Sequence, residues 1–172
     1  APVLRGMADR LVGVDASKAA IHAAQRTGLY NEIRHDSLLA ALDTLHNASI
    51  DVLFASDSIP YVGDLHALMH GAKRALRPGG VFVLNTDDLT SPLVHPSAPR
   101  SGAEFALQVT GRWAHDPSSV KQAAKQWGLV VLRTQPVSAE SRLGIARSGQ
   151  VFLHQDDARV ARQRQRSLVR GT

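Results

Sequence analysis

The chain has 172 residues, of which 44% are hydrophobic and 20% are charged, a balance typical of one globular domain. It contains no cysteine, which excludes disulfides, thiolate metal ligands and cysteine nucleophiles. No apolar run approaches the roughly eighteen residues needed to cross a membrane, so we expect a soluble, cytoplasmic protein without a membrane partner.

The net charge of +5 is concentrated at one end of the chain. Residues 156–172 contain five arginines and two aspartates, and they have no aromatic side chain to stack on a base. We interpret this segment as a solvated basic tail following a domain at 1–155, and we do not expect a nucleic-acid partner.

The first predicted strand, at 11–15, ends on Asp15. Ser17 then opens an alanine-rich helix at 17–27, which Gly28 stops. An acid just beyond the carboxyl end of a strand is how an open α/β sheet meets the ribose hydroxyls of a nucleotide, so the cofactor is expected to contain a nucleoside. The alternative is that Asp15 only caps the helix.

The same strand-and-helix pattern repeats twice. A short strand at 32–36 ends at Asp36, and Ser37 precedes a helix at 38–46. The Asp36–Ser37 pair is equally consistent with a helix cap and with ligand binding. The run at 50–56 is apolar enough to be a strand buried on both faces, and Ser56 and Asp57 stand at its carboxyl end, where a turn is the alternative.

The remaining elements are predicted in chain order. A helix at 64–76 stops at Pro78-Gly79-Gly80, because this tripeptide cannot continue a helix. The following segments are a strand at 81–84, a loop at 87–103, a strand-like stretch at 105–110, a helix at 117–127 capped by Asp116 or its neighbour, and strands at 129–135 and 145–154. The predicted fold is a Rossmann-like, doubly wound α/β architecture whose mostly parallel sheet carries an antiparallel edge strand.

Four segments resemble, in order and spacing, the class I S-adenosylmethionine-dependent methyltransferases: 11–17, Asp36-Ser37, 51–57 and 76–82. Three further segments, 28–30, 61–65 and 111–115, resemble more closely the predicted methyltransferases that often follow tetratricopeptide (TPR) repeats. The resemblance spans about residues 3–154 and implies S-adenosylmethionine as cofactor. It also implies a small-molecule or protein methyl acceptor, whose identity and whose O-, N- or C-nucleophile the sequence does not reveal.

The family's glycine-rich turn after its first strand has no match in this sequence. By analogy, we expect a sheet that lacks its first strand, as in an N-terminally truncated product. We also expect the isolated chain to bind the cofactor weakly or not at all.

The resemblance implies specific residue roles. Asp15 is matched to the ribose-binding acid, with Ala16 and Ser17 on the adenine side, and Asp36 to the acid that accepts from the adenine amino group, beside Ser37. Ser56 and Asp57 would face the methionine part or the acceptor. No metal is required. The resemblance and the parallel strands together predict that Asp15, Asp36 and Asp57 share one rim.

Three residues are candidates for the acceptor side of the site. His115 is the predicted proton acceptor, because imidazole titrates near neutrality. Arg112 could bind a substrate carboxylate, and Tyr61 could wall the pocket. The alternatives are that His115 is a polar surface or capping group, as a lone histidine usually is, and that Arg112 and Tyr61 are surface residues. His66 and His70, four apart on one helix, lack a third metal ligand.

The resulting functional prediction is a methyltransferase, which the absence of the glycine-rich turn would inactivate in this chain. The alternatives are a catalytically dead methyltransferase-like interaction module and an NAD(P)-dependent oxidoreductase, which would share the acid after its second strand. The oligomeric state and the role of the basic tail are not predicted.

Overall fold

The computed structural model describes residues 2–91, 93–98, 102–140 and 146–156. The chain divides into two compact units, Ala1–Leu45 and His46–Thr172, which are described separately. Apart from Asp156, the predicted basic tail lies outside the described residues. None of the described helices has the length and apolar character needed to span a bilayer.

The first unit is built from three helices and two strands. Their bounds are α1 Pro2–Arg5, β1 Val12–Asp15, α2 Lys18–Thr27, β2 Glu32–His35 and α3 Leu38–Thr44. Strands β1 and β2 pair in parallel, with Val12 opposite Glu32 and Asp15 opposite His35. The carboxyl ends of both strands therefore lie at the same edge.

Serine side chains begin the two longer helices of this unit. The Ser17 hydroxyl accepts a hydrogen bond from the Ala20 amide, and the Ser37 hydroxyl accepts one from the Ala40 amide. Helix α2 ends where Gly28 adopts a left-handed φ of 65°, a conformation that costs glycine little. The predicted serine caps and the glycine stop are confirmed.

Within its described residues, the second unit contains a six-stranded sheet and two α-helices. Its elements are β3 Ile50–Ala55, a 3-10 turn at Ile59–Tyr61, α4 His66–Ala75, β4 Leu76–Asp88, β5 Phe105–Leu107, β6 Trp113–His115, α5 Pro117–Gln126, β7 Leu129–Glu140 and β8 Ala146–Asp156. Strand β4 is central: β3 and β6 pair with it in parallel, and β8 pairs with it antiparallel.

The antiparallel edge predicted at the end of the chain is present: among the described strands, β7 pairs with β8 alone and runs opposite to it. Along β4, Phe82 and Leu84 are almost fully buried, and so is the polar Thr86 that continues their alternation. The expected α/β class, with parallel strands and an antiparallel edge, is confirmed.

Three details of the prediction are wrong. Val52 and Phe54 are about half exposed, at 55% and 53%, so β3 is not buried on both faces. The loop predicted from residue 87 begins later, since β4 runs to Asp88. Strand β6 was not predicted, because three residues are too few to show an alternation.

Pro78-Gly79-Gly80 lies inside β4 and forms a bulge against β3. The register advances from the pair Ile50–Leu76 directly to Val52–Val81. A Cβ atom on Gly80 would lie 2.9 Å from the Arg77 carbonyl oxygen and 3.1 Å from that of Ile50. The bulge therefore requires glycine at position 80, because backbone oxygens cannot move aside as the end of a flexible side chain can.

We predict that Gly80→Ala lowers the free energy of unfolding of the second unit by about 1–3 kcal/mol, because the added methyl group overpacks the bulge. Urea denaturation monitored by tryptophan fluorescence measures this, since Trp113 and Trp127 both lie in that unit. Gly6→Ala is the control, because a Cβ there meets only an ordinary 3.6 Å contact. Equal stability of Gly80→Ala and the unmodified chain would contradict the steric argument.

Candidate functional site

The carboxyl edge of the β1–β2 sheet carries two acids. Asp15 is the last residue of β1, and Asp36 follows β2 directly. The Asp36 amide donates to the Asp15 carbonyl oxygen at 3.1 Å, which extends the ladder one residue beyond the strands. The structure thus brings Asp15 and Asp36 together within the first unit, as the sequence predicts.

Each of these carboxylates uses one oxygen to hold the local turn. Asp15 Oδ1 accepts from the Ser17 amide at 2.8 Å, and Asp36 Oδ1 accepts from the Ser37 amide at 2.8 Å. The second oxygen of each has no hydrogen-bond partner among the described residues. Because the serines cap the helices, both acids keep an open acceptor.

His35 joins the two loops. Its Nε2 lies 3.0 Å from the Ala16 carbonyl oxygen, so Nε2 carries the proton and donates to that oxygen. This bond fixes the peptide between Asp15 and Ser17. The sequence did not single out His35, because Asp36, the acid that ends the predicted strand, was the residue matched to a ligand-binding position.

The second unit contains a buried ion-pair network at the ends of β3 and β4. Arg112 Nε donates to Asp87 Oδ2 at 2.9 Å, and their side chains are only 7% and 6% exposed. Gln108 Nε2 donates to the same Asp87 oxygen at 2.7 Å. Arg112 Nη2 reaches Asp57 Oδ1 at 2.7 Å and Asp87 Oδ1 at 3.3 Å. Arg112 therefore links a buried acid to an exposed one.

The network determines the charge of Arg112. Burial acts to lower the pKa of Arg112, but the hydrogen bonds and charges of Asp87 and Asp57 outweigh it and raise the pKa above its ordinary value. The guanidinium also lies 5.4 Å from the centre of the Tyr61 ring, which is 67% exposed. Arg112 thus stays protonated and contacts Asp87, Asp57 and the Tyr61 ring.

Asp57 has an unusual backbone for a residue with a side chain. Its φ is 59°, in the left-handed region that aspartate tolerates better than most residues. Its amide donates to Asn85 Oδ1 at 2.7 Å, which holds this conformation. Ser56, beside it, is exposed, and its carbonyl oxygen accepts from the Ser58 hydroxyl.

His115 is buried, with 1% exposure, and both of its ring nitrogens are hydrogen-bonded. Nε2 lies 2.8 Å from the Val62 carbonyl oxygen and 3.0 Å from that of Gly63, so it carries a proton. Nδ1 contacts the Thr86 hydroxyl. Burial lowers the pKa of His115, although the two carbonyl oxygens and the charge of Asp87 oppose it.

The structure leaves the predicted roles of His115, Arg112 and Tyr61 as predictions. To act as a proton acceptor, Nδ1 of His115 would have to lose its hydrogen bond with the Thr86 hydroxyl and accept a proton from the substrate. The Nε and Nη2 atoms of Arg112 face Asp87 and Asp57, so Nη1 is the nitrogen open to a further acceptor. The shared rim of Asp15, Asp36 and Asp57 also stays a prediction, because Asp57 lies in the other unit.

The network contains residues that sequence reasoning missed. Asn85, Thr86 and Asp87 directly follow the apolar run of β4, in the position that singled out Asp57 after β3. The same strand-end rule would have found them. Gln108 had no signal in the sequence. Within the described ranges, no three His, Asp or Glu side chains cluster closely enough to ligate a metal ion.

Comparison with known proteins identifies the class of fold. Residues 1–84 match the model of a family described as "Methyltransferase domain". A solved S-adenosylmethionine-dependent methyltransferase from Methanosarcina mazei is similar, with a TM-score of 0.69 at 17% identity, and the match covers 90% of this chain and 85% of that one. One from Mesorhizobium loti has a TM-score of 0.63 at 18% identity, covering 86% and 81%. The chain therefore has the α/β fold of these enzymes.

More particular similarities come from two further comparisons. Ubiquinone biosynthesis O-methyltransferases of Psychrobacter cryohalolentis and Psychrobacter arcticus are each 29% identical over 112 residues, which are 61% of this chain and 40% of each relative. The match thus spans about two fifths of the length of these relatives. A solved N-methyltransferase from Bradyrhizobium japonicum, in complex with S-adenosyl-L-homocysteine, has a TM-score of 0.58 at 15% identity, covering 86% of this chain and 66% of that one. The association with TPR repeats stays a prediction.

We predict that acidification destabilises the second unit through His115. An unfolded histidine titrates near about pH 6.5, and the folded pKa is lower, so below that pH the unfolded state binds more protons than the folded state. Stability contributed by neutral His115 is therefore present above about pH 6.5 and is lost as the pH falls toward the folded pKa, by at most about 1.4 kcal/mol per pH unit.

Urea midpoints at about pH 7.5 and pH 5.5, on either side of the free histidine pKa, measure this loss. His115→Gln, whose side-chain N–H can still meet a carbonyl oxygen, should lose less stability on acidification. His46→Gln, at an exposed position of the same unit, should behave like the unmodified chain. Identical pH dependence in all three proteins would show that His115 is not the responsible group.

Proposed function

We propose that this chain binds S-adenosylmethionine and forms part of a methyltransferase that acts on an unidentified acceptor. The single observation that carries the proposal is the pair of adjacent carboxylates, Asp15 and Asp36, each with one oxygen free at the carboxyl edge of parallel strands. The match to the methyltransferase domain model over residues 1–84 includes this edge and supports the proposal.

The donor and acceptor chemistry of this edge fits an adenosyl group. A carboxylate oxygen can accept hydrogen bonds only, and the ribose hydroxyls and the adenine amino group are donors. We assign the ribose hydroxyls to Asp15 and the adenine amino group to Asp36. Ala16 and Ser17 would line the adenine side, with Ser37 beside it.

The proposal also gives roles to residues of the second unit. We propose that Ser56 and Asp57 face the methionine part or the acceptor, and that Tyr61 and Arg112 contact the acceptor. When bound, the cofactor supplies a methyl group that its sulfonium already activates. The remaining task of the protein is to position the acceptor, and positioning contributes about 7–11 kcal/mol in favourable cases.

The proposal does not specify the methyl acceptor. The two Psychrobacter relatives are O-methyltransferases, and the solved Bradyrhizobium enzyme is an N-methyltransferase. If the acceptor is protonated, His115 is the proposed proton acceptor. That role requires Thr86 to release Nδ1, so we expect the Thr86 hydroxyl to turn toward the Asp87 carbonyl oxygen, which it already approaches at 3.1 Å.

The first unit is tested with Asp15→Asn, which removes the charge but leaves an oxygen for the Ser17 amide. We predict that saturation-transfer NMR detects the adenine and ribose protons of S-adenosylhomocysteine on the unmodified chain. Asp15→Asn should weaken this binding by about tenfold or more, because a hydrogen bond to a charged group contributes about 1.5–3 kcal/mol.

Asp43→Asn, an exposed acid in α3 of the same unit, is the matched control and should bind like the unmodified chain. NADH, added in a separate titration, tests the oxidoreductase alternative. Stronger saturation of NADH than of S-adenosylhomocysteine, or equal signals from Asp15→Asn and the unmodified chain, would refute the proposal.

A further inference from the structure

The network of the second unit carries an excess negative charge. Among the residues that the structure describes, two carboxylates, Asp57 and Asp87, share one guanidinium, that of Arg112. Asp87 is buried, and three hydrogen bonds from Gln108 and Arg112 satisfy it. The negative charge that Arg112 does not balance therefore lies on the exposed acid, Asp57.

Asp57 is held firmly on one side and open on the other. Its amide is bonded to Asn85, and its Oδ1 to Arg112, whose own side chain is only 7% exposed. Its Oδ2 has no hydrogen-bond partner among the described residues, and its side chain is 62% exposed. A carboxylate fixed in this way loses little further freedom when it binds a ligand.

A second observation concerns Gln108, which contacts the buried acid of the network. Gln108 is 2% exposed, and its Nε2 is committed to Asp87. Its Oε1 is buried and has no donor within the described part of the chain. A buried amide oxygen without a donor is uncommon. The charge balance of the described residues, with two carboxylates on one guanidinium, favours a cationic ligand at Asp57 over one that brings a carboxylate.

We infer that Asp57 binds a cationic amine, and that Arg112 and Asp87 are positioning residues that hold Asp57 for this contact. This inference replaces the acceptor contact proposed above for Arg112: Arg112 acts as an internal counter-ion and does not bind a substrate carboxylate. The inference rests on the proposed function only for the identity of the ligand. The ammonium belongs either to an amine acceptor or to the amino-acid part of the cofactor.

The test follows the Asp57 amide and the Arg112 Nε–H by proton–nitrogen correlation NMR. Propylammonium, propionate and L-methionine are titrated separately into the full chain at constant ionic strength. Propylammonium is expected to shift both signals to saturation, and propionate is not. Tighter binding of L-methionine than of propylammonium assigns the ammonium to the cofactor, and the reverse assigns it to an amine acceptor.

Asp57→Asn is expected to weaken propylammonium binding by about threefold to fivefold, the range expected for one exposed charge pair. Asp51→Asn is the matched control, because Asp51 is an exposed acid of β3, the strand that precedes Asp57, and it too pairs with an arginine, Arg77. Binding to Asp51→Asn should be unchanged.

The positioning role is tested with Arg112→Lys and Asp87→Asn. A lysine ammonium cannot bridge both acids as the planar guanidinium does, so propylammonium binding should weaken although Asp57 is present. Asp87→Asn should also weaken propylammonium binding, because Arg112 loses a charged partner. This variant replaces Arg112→Lys in the test if Arg112→Lys does not fold. Unchanged propylammonium binding in the folded positioning variants would overturn the positioning role.

Saturable propionate binding that Arg112→Lys abolishes would overturn the inference, as would the absence of any propylammonium shift. The Asp15-dependent adenosyl signal reports on the proposed function separately. Loss of that signal with retained amine binding would reject only the proposed function, and the converse would reject only this inference.

Discussion

Parallel pairing of neighbouring strands is the constraint on which the candidate sites depend. When two strands run in the same direction, the residues that follow them leave the sheet at one edge. In the first unit, the pairing of Asp15 with His35 places Asp36 next to Asp15, and the bond from the Asp36 amide to the Asp15 carbonyl oxygen holds them there. Because Ser17 and Ser37 cap the helices, neither acid is consumed by that task.

The second unit has the same parallel arrangement of strands, but there the acids form an ion-pair network. Strands β3 and β4 run in parallel, so Asp57, just after β3, and Asp87, near the end of β4, lie at the same edge of the sheet. The β5–β6 hairpin adds Gln108 and Arg112 to these acids. Burying an ion pair is costly unless its hydrogen bonds are complete, and removing one partner costs on the order of 3–5 kcal/mol. The Arg112–Asp87 pair therefore fixes the hairpin against the ends of β3 and β4.

Much of this arrangement could be predicted from the sequence, for local reasons. Alternating apolar runs and serine caps act within a few residues, so α2, α3 and the strands before Asp15 and Asp36 were predicted closely. Burial of β3 on both faces was not predictable, because apolar residues at 52 and 54 do not reveal which face another element covers. The Arg112–Asp87 contact joins residues 25 positions apart in the chain, and no spacing rule relates them.

His115 illustrates the limit of reasoning from residue type. An imidazole near a predicted loop suggests a proton acceptor, yet its fold environment binds both ring nitrogens and lowers its pKa. Asp87, by contrast, drew no attention in the sequence and accepts three hydrogen bonds in the structure. Which polar groups are free to meet a ligand is decided by contacts between distant segments, and only the structure shows these.

The central claim is that an adenosyl group lies against Asp15 and Asp36. Photolabelling with an 8-azido adenosyl analogue of the cofactor, followed by peptide mapping, tests it most directly. The account predicts label on the tryptic peptide 11–18 or on the segment that begins at His35, and protection of both by S-adenosylhomocysteine. Label confined to other peptides, or label that S-adenosylhomocysteine does not reduce, would contradict it.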